Sequence, residues 1–199
     1  VKESFNYFSA LTDYSLVEGV MGLFDGIGSS SKGSTAELAK VLNLPLVLVV
    51  DAKGKAASLA PLIKGFKEHD KELKIAGIVL NNVQSTRHEK ILLEVLNQIN
   101  IKSLGIIPRN KDLYLPSRHL GLAPVHEILD LEIKVKKWAS IAKDYLDIES
   151  FRKLLLPPKS NHKTINFLSK KESEFIHPIA IAEDEAFHFR YQETKELLE

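Results

Sequence analysis

Three short apolar runs, separated by helical patterns, dominate the middle of the chain. The runs are 46–50, which ends at Asp51, 75–80, which ends at Asn81-Asn82, and 103–107, which ends at Pro108. Apolar positions repeat with helical spacing over about 56–68 and 87–98, between the runs. A continuous apolar run is typical of a strand covered on both faces in a parallel sheet. The pattern therefore predicts an α/β fold, a parallel sheet with helices on both faces.

Further elements are predicted before this core. An amphipathic pattern over 2–12 indicates a helix that leads into a short strand at 14–17. A glycine-rich loop follows over 25–33. Ser34 or Thr35 then caps a helix that ends at about 42, with Glu37 in its first turn.

Beyond the last run, one long helix is predicted over 122–146. Its apolar face comprises Leu129, Ile133, Val135, Trp138, Ile141 and Tyr145. This helix packs in the core or between domains, and self-association as a homodimer is a further hypothesis. Proline and charged residues over 149–174 predict a linker, followed by a strand over 176–181 and a helix that starts at about Glu193.

Polar residues cluster where the predicted strands end. Glu18, Asp51 and Asn81 each follow an apolar run, and the carboxyl ends of parallel strands meet at one edge, where ligands bind. Asp25 lies seven positions after Glu18 on the same glycine-rich stretch. Because Mg²⁺ takes one or two carboxylates plus phosphate oxygens, this stretch is a candidate magnesium and phosphate site. The alternative is a polar turn between a strand and a helix.

Composition narrows the function classes. The 199 residues are 44% hydrophobic with a formal net charge of +1, which suits one α/β domain and gives no electrostatic argument for nucleic acid or an anionic membrane. The chain has no cysteine, which excludes a cysteine nucleophile, disulfides and thiolate metal sites within it. No apolar run approaches a membrane span, so we expect a cytoplasmic protein.

Several motifs in order carry a family resemblance. They are L-V-E-G-V-M-G-L-F-D-G (16–26), G-S-T-A-E-L-A (33–39), L-V-L-V-V-D-A-K-G (46–54), G-I-V-L-N-N-V (77–83), R-H (87–88), G-I-I-P-R-N (105–110) and L-P-S-R-H-L-G-L (115–122). Together they resemble the cobyrinic acid a,c-diamide synthase family. The nickel-sirohydrochlorin a,c-diamide synthases share these motifs and stay an alternative.

The resemblance implies a fold and a reaction. The fold is a P-loop-type synthetase domain similar to dethiobiotin synthetase. The reaction uses Mg²⁺ and ATP to phosphorylate two acetate carboxylates of a tetrapyrrole, cobyrinic acid. Each acyl phosphate is then captured by ammonia, which a class I glutamine amidotransferase domain makes from glutamine.

The resemblance also implies roles for particular residues. Glu18 is expected to bind Mg²⁺, and Asp25 to be a second metal-binding or substrate-positioning carboxylate. Asn81 is expected to read the adenine edge, with Asp51 beside it. Four further residues are weaker substrate candidates: Ser34 and Thr35, for which helix capping is the alternative, and Arg118 and His119, for which a salt bridge within the loop is the alternative.

Two expected parts of the family pattern do not occur in this sequence. The segment G-S-S-S-K-G-S-T (28–35) has the glycine spacing of a phosphate loop, but Ser34 stands where the lysine belongs, so we interpret it as a loop and helix cap. The glutaminase nucleophile is also absent. We expect the central part of a longer enzyme, inactive alone: residues 1–148 as a partial synthetase domain, 149–174 as a linker and 175–199 as the start of an amidotransferase domain.

Two other functions are alternatives to the synthase. The first is a non-catalytic interaction module, in which the sheet survives without a phosphate loop. The second is a partitioning-type ATPase of the same broad fold, which is disfavoured because such a protein needs its own phosphate-loop lysine.

Overall fold

The computed structural model of the protein describes residues 1–115, 117–118, 121–122, 128–155, 179–184, 187, 191 and 194. The chain divides into two compact units, Tyr14–Pro157 and a second made of Val1–Asp13 and Pro158–Glu199. The second unit begins with helix α1 (Lys2–Ser9), which is shorter than the predicted 2–12. Along the described residues, no helix has the length and apolar character needed to cross a membrane.

A parallel sheet forms the centre of the larger unit. The described strands are β1 (Leu46–Asp51), β2 (Ile75–Val83) and β3 (Ser103–Pro108), in the order β1-β2-β3. Helix α3 (Leu59–His69) connects the first pair and α4 (Thr86–Gln98) the second, and both pairs are parallel. The α/β class and the parallel sheet predicted from the sequence are therefore confirmed.

The central strand is the best covered. Ile78, Val79 and Leu80 are consecutive residues of β2 and all are buried, so both faces of this strand are packed. Buried side chains of β1, α3 and α4 complete the core: Leu46, Leu48, Val50, Leu59, Ile63, Leu92, Val95 and Leu96. Burial of these aliphatic side chains is the main favourable term for the unit, at roughly 1.5–3 kcal/mol for each fully buried side chain.

The edge strand β1 differs from the prediction. Its burial alternates, and Val49 is 68% exposed between the buried Leu48 and Val50. The continuous apolar run predicted a strand covered on both faces, which is wrong for the described part of the chain. An apolar run records which residues can be buried, while burial itself depends on an element that packs on that face.

The predicted strand at 14–17 is also wrong. Residues 14–20 belong to no helix or strand, and Leu16 is 92% exposed. A strand gains its stability partly from a covered face, and the apolar side chains of this short run are exposed.

The regions after β3 are divided differently from the prediction. A 3₁₀ turn covers Lys111–Leu113, and the two-residue strands β4 (Ser117–Arg118) and β5 (Gly121–Leu122) pair antiparallel. Helix α5 (Leu131–Tyr145) consequently begins nine positions after the predicted start at 122. Its expected apolar face is not buried: Ile133, Val135 and Tyr145 are exposed.

Helix α6 (Ile148–Leu154) occupies the first part of the expected linker. Its N-cap is Asp147, which accepts a hydrogen bond from the Ser150 amide at 3.0 Å. The remainder of the linker, 156–174, lies outside the described residues. The described residues 179–181 are not in a strand, so the strand expected over 176–181 is not found there, and its first part, 176–178, also lies outside. Thr194 is helical, in agreement with the helix start expected near Glu193, a residue outside the described part.

Candidate active site

Two apolar side chains, Leu23 and Phe24, pack the segment just before the glycine-rich loop against the unit that contains the parallel sheet. The Leu23 side chain packs on the hydrophobic core. The Phe24 ring stacks on Phe66 of α3, with 6.1 Å between ring centroids, and meets His69 edge-on at 4.4 Å. These contacts explain the L-F pair of the loop, which the sequence analysis left without a role.

Asp25 closes a tight turn that begins at Gly22. Its Oδ2 accepts a hydrogen bond from the Gly22 amide at 2.8 Å, and its own amide donates to the Gly22 carbonyl at 3.1 Å. A Cβ on residue 22 would lie 2.5 Å from Oδ2, so a larger residue there would displace the Asp25 carboxylate from this turn. Among the described residues, the other carboxylate oxygen, Oδ1, accepts no hydrogen bond, and Asp25 is exposed. The turn alternative is therefore real, and it still leaves one oxygen available for a cation.

Glu18 lies on the exposed coil that precedes this turn. Its neighbour Gly19 sits against the start of the next helix, α2 (Thr35–Leu42), because a Cβ there would lie 2.5 Å from Thr35 Cγ2. The structure thus places Glu18 beside the helix start rather than at the end of a strand. An exposed carboxylate is the oxygen ligand that Mg²⁺ prefers, and its role in metal binding stays a prediction.

The described residues contain no cluster of three or more histidine or acidic side chains suited to a metal ion. Magnesium at a phosphate site is typically held by one or two carboxylates together with phosphate and water oxygens, and its binding here stays a prediction. Glu18 and Asp25 are the residues that would hold it.

Ser34 is a helix cap. Its hydroxyl oxygen accepts a hydrogen bond from the Glu37 amide at 3.2 Å, and the Glu37 carboxylate in turn accepts from the Gly33 amide. This arrangement resembles a capping box, which satisfies amide groups that the first turn of a helix leaves unpaired. Ser34 is 1% exposed, so capping accounts for its position, while Thr35 lies against Gly19.

The segment before this cap is a loop, as the sequence predicts. The Ile27 amide donates to the Lys32 carbonyl at 2.9 Å, and Gly28 and Gly33 both have positive φ, +65° and +79°. The segment therefore folds back on itself and leads into the Ser34 cap. The interpretation of 28–35 as a loop and helix cap agrees with this geometry.

Asp51 and Asn81 are direct neighbours at the carboxyl edge of the sheet. They are register partners of β1 and β2, and the Ala52 amide donates to the Asn81 carbonyl at 2.8 Å. Asp51 Oδ1 accepts hydrogen bonds from the Lys53 amide and from Asn82 Nδ2, each at 3.0 Å. The Lys53 amide first, and then Asn82, lower the pKa of Asp51 below its ordinary value, so the carboxylate stays charged at neutral pH.

Asn82 is the residue of this edge that the sequence analysis did not single out. It has a positive φ of 60°, which asparagine tolerates better than most residues, and its side chain ties β2 to Asp51 of β1. The only signal in the sequence is the Asn-Asn pair that follows a buried run.

The Asn81 amide is partly used within the protein. Its side-chain oxygen Oδ1 accepts a hydrogen bond from the backbone amide of Asn82 at 2.9 Å. Within the described residues its NH₂ group has no partner, and the side chain is half-buried. The free donors suit an acceptor on a ligand, so recognition of an adenine edge by Asn81 stays a prediction.

The predicted residues lie in two parts of the fold. Glu18, Asp25, Ser34 and Thr35 belong to the loop and the start of α2, while Asp51 and Asn81 belong to the strand edge. No hydrogen bond or ion pair among the described residues joins the groups. Arg118 lies in β4, and His119 lies outside the described residues.

A family profile described as "AAA domain" matches residues 3–117. The chain belongs to the AAA domain family. This match covers both groups of candidate residues and all three strands of the parallel sheet. Membership in this family supports nucleotide binding by the domain.

Curated relatives match all or most of this chain, including the part beyond the AAA-domain match. The chain is 42% identical over 201 residues to "Cobyrinate a,c-diamide synthase" of Caldanaerobacter subterraneus subsp. tengcongensis, covering 100% of this chain and 44% of that protein. It is 39% identical over 203 residues to the protein of that name from a Synechococcus strain, again covering 100% and 44%. It is also 41% identical over 176 residues to "Hydrogenobyrinate a,c-diamide synthase" of Brucella anthropi, covering 88% and 40%.

These findings confirm the resemblance that the motifs predicted. The chain spans less than half the length of the relatives it matches. No solved structure matches it.

Proposed function

We propose that this chain is the nucleotide- and substrate-binding part of a longer ATP-dependent a,c-diamide synthase of corrinoid biosynthesis. The observation that carries the proposal is 42% identity along the whole chain to a protein named cobyrinate a,c-diamide synthase. The activity belongs to the longer protein. We expect this chain by itself to be inactive and the protein to act in the cytoplasm.

The proposed reaction proceeds in two steps at each acetate group. A carboxylate oxygen of the corrinoid attacks the γ-phosphorus of ATP, which gives an acyl phosphate and ADP. Ammonia then attacks the acyl carbon, the carbon–oxygen bond to phosphate breaks, and the amide forms as inorganic phosphate and a proton leave. The ammonia comes from glutamine in another part of the longer protein, since this chain lacks a cysteine nucleophile.

The residues of this chain would position these reactants. Glu18 and Asp25 would hold Mg²⁺, which neutralises charge on the transferring phosphoryl oxygens when it is bound. Asn81, beside the charged Asp51, would donate its free amide hydrogens to the base of the nucleotide. Arg118 and His119 would pair with a carboxylate of the corrinoid, since a guanidinium binds a carboxylate through two parallel hydrogen bonds.

The second candidate substrate is hydrogenobyrinate. The relative from Brucella anthropi carries that name and is nearly as similar, at 41% identity. We propose a substrate class of corrin polycarboxylic acids and leave the choice between these two members to the assay. Nickel sirohydrochlorin tests the methanogen alternative in the same assay.

The test uses the full-length protein with Mg²⁺, ATP and glutamine. Each candidate acid is supplied in turn, and amide formation is followed by mass spectrometry together with ADP release. We expect two amidations on a corrin acid. Absence of both ADP release and amidation with all three acids would overturn the proposal and favour the interaction module.

Glu18→Gln is the decisive variant of this assay. The variant removes a charged ligand of the proposed Mg²⁺ site, and because loss of one group that stabilises transition-state charge typically costs about 100-fold in kcat, we expect a loss of that size. The matched control is Glu94→Gln, which removes an exposed carboxylate on α4, remote in sequence from every candidate residue. Wild-type turnover by Glu18→Gln would remove Glu18 from the mechanism, even if the amidase activity itself is confirmed.

A further inference from the structure

The loops that leave β1 and β2 are joined by one side chain, His88. It lies in the first turn of α4, where its amide donates to the Ser85 hydroxyl at 3.2 Å. The ring nitrogen Nδ1 is 3.2 Å from the Gln84 amide nitrogen, within its own loop. The other ring nitrogen, Nε2, is 2.7 Å from the Lys55 carbonyl oxygen, which belongs to the loop after β1.

The two partners of the ring assign its tautomer. The backbone amide of Gln84 can only donate, so Nδ1 must accept with its lone pair. The Lys55 carbonyl can only accept, so Nε2 must carry the hydrogen. These contacts therefore place the hydrogen on Nε2 and the accepting lone pair on Nδ1, and both nitrogens are used.

We call the His88–Lys55 hydrogen bond the link. It extends the contact between β1 and β2 beyond the ends of the strands. Next to Asp51, the Ala52 amide binds the Asn81 carbonyl, and the Asp51 carboxylate binds Asn82. The chain then turns through Gly54, which has φ +67°, and the Lys55 amide donates to the Ala52 carbonyl at 3.0 Å. The His88 contact with the Lys55 carbonyl fixes the far end of this turn.

The turn brings positive charge to the strand edge. Lys53 donates its amide to Asp51, and the ammonium groups of Lys53 and Lys55 both act on the Asp51 carboxylate. A turn held in one conformation keeps these charges and the Asp51–Asn82 pair in place before a ligand arrives. Preorganisation of this kind reduces the entropy that binding must spend on ordering a loop.

We propose that His88 is a positioning residue that fixes the 52–55 turn over the strand edge and so preorganises nucleotide binding. The inference rests on the proposed function, which places the nucleotide at this edge. His88 itself acts through the turn, by way of its hydrogen bond to Lys55.

Two variants of His88 distinguish the hydrogen bond to the Lys55 carbonyl from the hydrogen bond with the Gln84 amide. Glutamine places an amide NH₂ near the position of Nε2, so His88→Gln can still donate to the Lys55 carbonyl. Asparagine places an amide oxygen near the position of Nδ1, so His88→Asn keeps the Gln84 contact and loses the link. Ser85→Ala is the control, since it weakens the α4 cap and leaves both ring contacts in place.

The first measurement is backbone hydrogen exchange of the full-length protein without nucleotide. One lost hydrogen bond changes a local opening equilibrium by about 3–10-fold. We expect the amides of Lys53 and Lys55 to exchange faster by that factor in His88→Asn and at nearly the wild-type rate in His88→Gln and Ser85→Ala. Equal exchange in the asparagine and glutamine variants would overturn the proposed link.

The second measurement is a nitrogen-15 NMR spectrum of the histidine rings in the wild-type protein. We expect a protonated Nε2 and an unprotonated Nδ1 for His88. A proton on Nδ1 would contradict the assigned contacts and overturn the link.

The third measurement is the amidation assay. We expect His88→Asn to raise the KM for ATP about 3–10-fold with a smaller change in kcat, and Ser85→Ala to leave this KM unchanged. An unchanged KM in His88→Asn, with faster exchange of the turn, would overturn the positioning role while leaving the amidase function standing. If the protein binds no ATP, the proposed function fails, and the exchange and NMR measurements still decide the link.

Discussion

At the scale of single residues, close approach decides several positions that the sequence leaves open. Gly105 of β3 forms an isolated antiparallel bridge with Leu146, and the Asp147 amide donates to the Leu104 carbonyl at 2.9 Å. The chain after α5 therefore lies directly against the outer edge of β3. A glycine is required there because a Cβ would meet the Leu146 side chain and lie 2.9 Å from the Tyr145 carbonyl oxygen.

We predict that Gly105→Ala destabilises the protein. The new methyl group has to displace backbone as well as a side chain, and overpacking of this kind costs about 1–3 kcal/mol. Urea denaturation measures the change in the free energy of unfolding.

Gly65→Ala is the matched control for this substitution. Gly65 lies within α3, and in the described part of the chain a Cβ there would meet nothing within 4 Å. Alanine favours a helix over glycine by about 0.5–1 kcal/mol, so the control should be more stable than wild type. Wild-type stability of Gly105→Ala would show that the Leu146 segment moves away without cost.

At the scale of the elements, helix capping follows the sequence more closely than helix length does. Ser34 and Ser85 precede α2 and α4, and each accepts a hydrogen bond from the amide three residues later. Ser58 precedes α3 and, within the described residues, its side chain caps no amide. The start of α5 was predicted less well, because Leu122, the first residue of the predicted helix, pairs with Ser117 in a strand, and the helix begins at Leu131.

We predict that Ser34→Ala lowers the free energy of unfolding by about 1 kcal/mol, because it removes the cap bond to Glu37. Chemical denaturation of the variant checks this value. Ser58→Ala, at an N-cap without a cap bond, should stay close to wild type.

The pair also tests the alternative role of Ser34. If Ser34 contacts a substrate carboxylate in addition to capping the helix, its variant will raise the KM for the corrin acid in the amidation assay. A Ser34→Ala protein with unchanged stability would contradict the capping role.

At the scale of the whole molecule, β1 is an edge strand in the part of the chain that the structure describes. The amides of Leu46 and Ala52 donate towards β2, and since amide directions alternate along a strand, those of Val47 and Val49 point to the open edge. The exposed Val49 side chain leaves one face of the strand uncovered as well.

We predict that the amides of Val47 and Val49 exchange with solvent at least about tenfold faster than those of Leu48 and Val50 in this chain. Hydrogen exchange resolved by residue makes the measurement. The amides of Val79 and Leu80 serve as controls, because both faces of β2 are packed and strands flank it on either side. Equal protection of Val49 and Val50 would show that another segment pairs with this edge.

Elements with local signals could be predicted from the amino-acid pattern. The apolar runs placed β1, β2 and β3, and serine capping placed the start of α2, because period and capping depend on residues a few positions apart. It also brought Asp51 and Asn81 to one edge, since parallel strands fix where their ends lie.

Other features depend on distant partners and emerge only in the folded chain. The fold left 14–17 outside the sheet, exposed Val49 and shortened α5. It also made Asn82 a link between two strand ends and His88 a link between two loops, each joining residues more than thirty positions apart. A side chain becomes buried, paired or bridging only when a remote segment packs against it, and no local pattern specifies which segment that is.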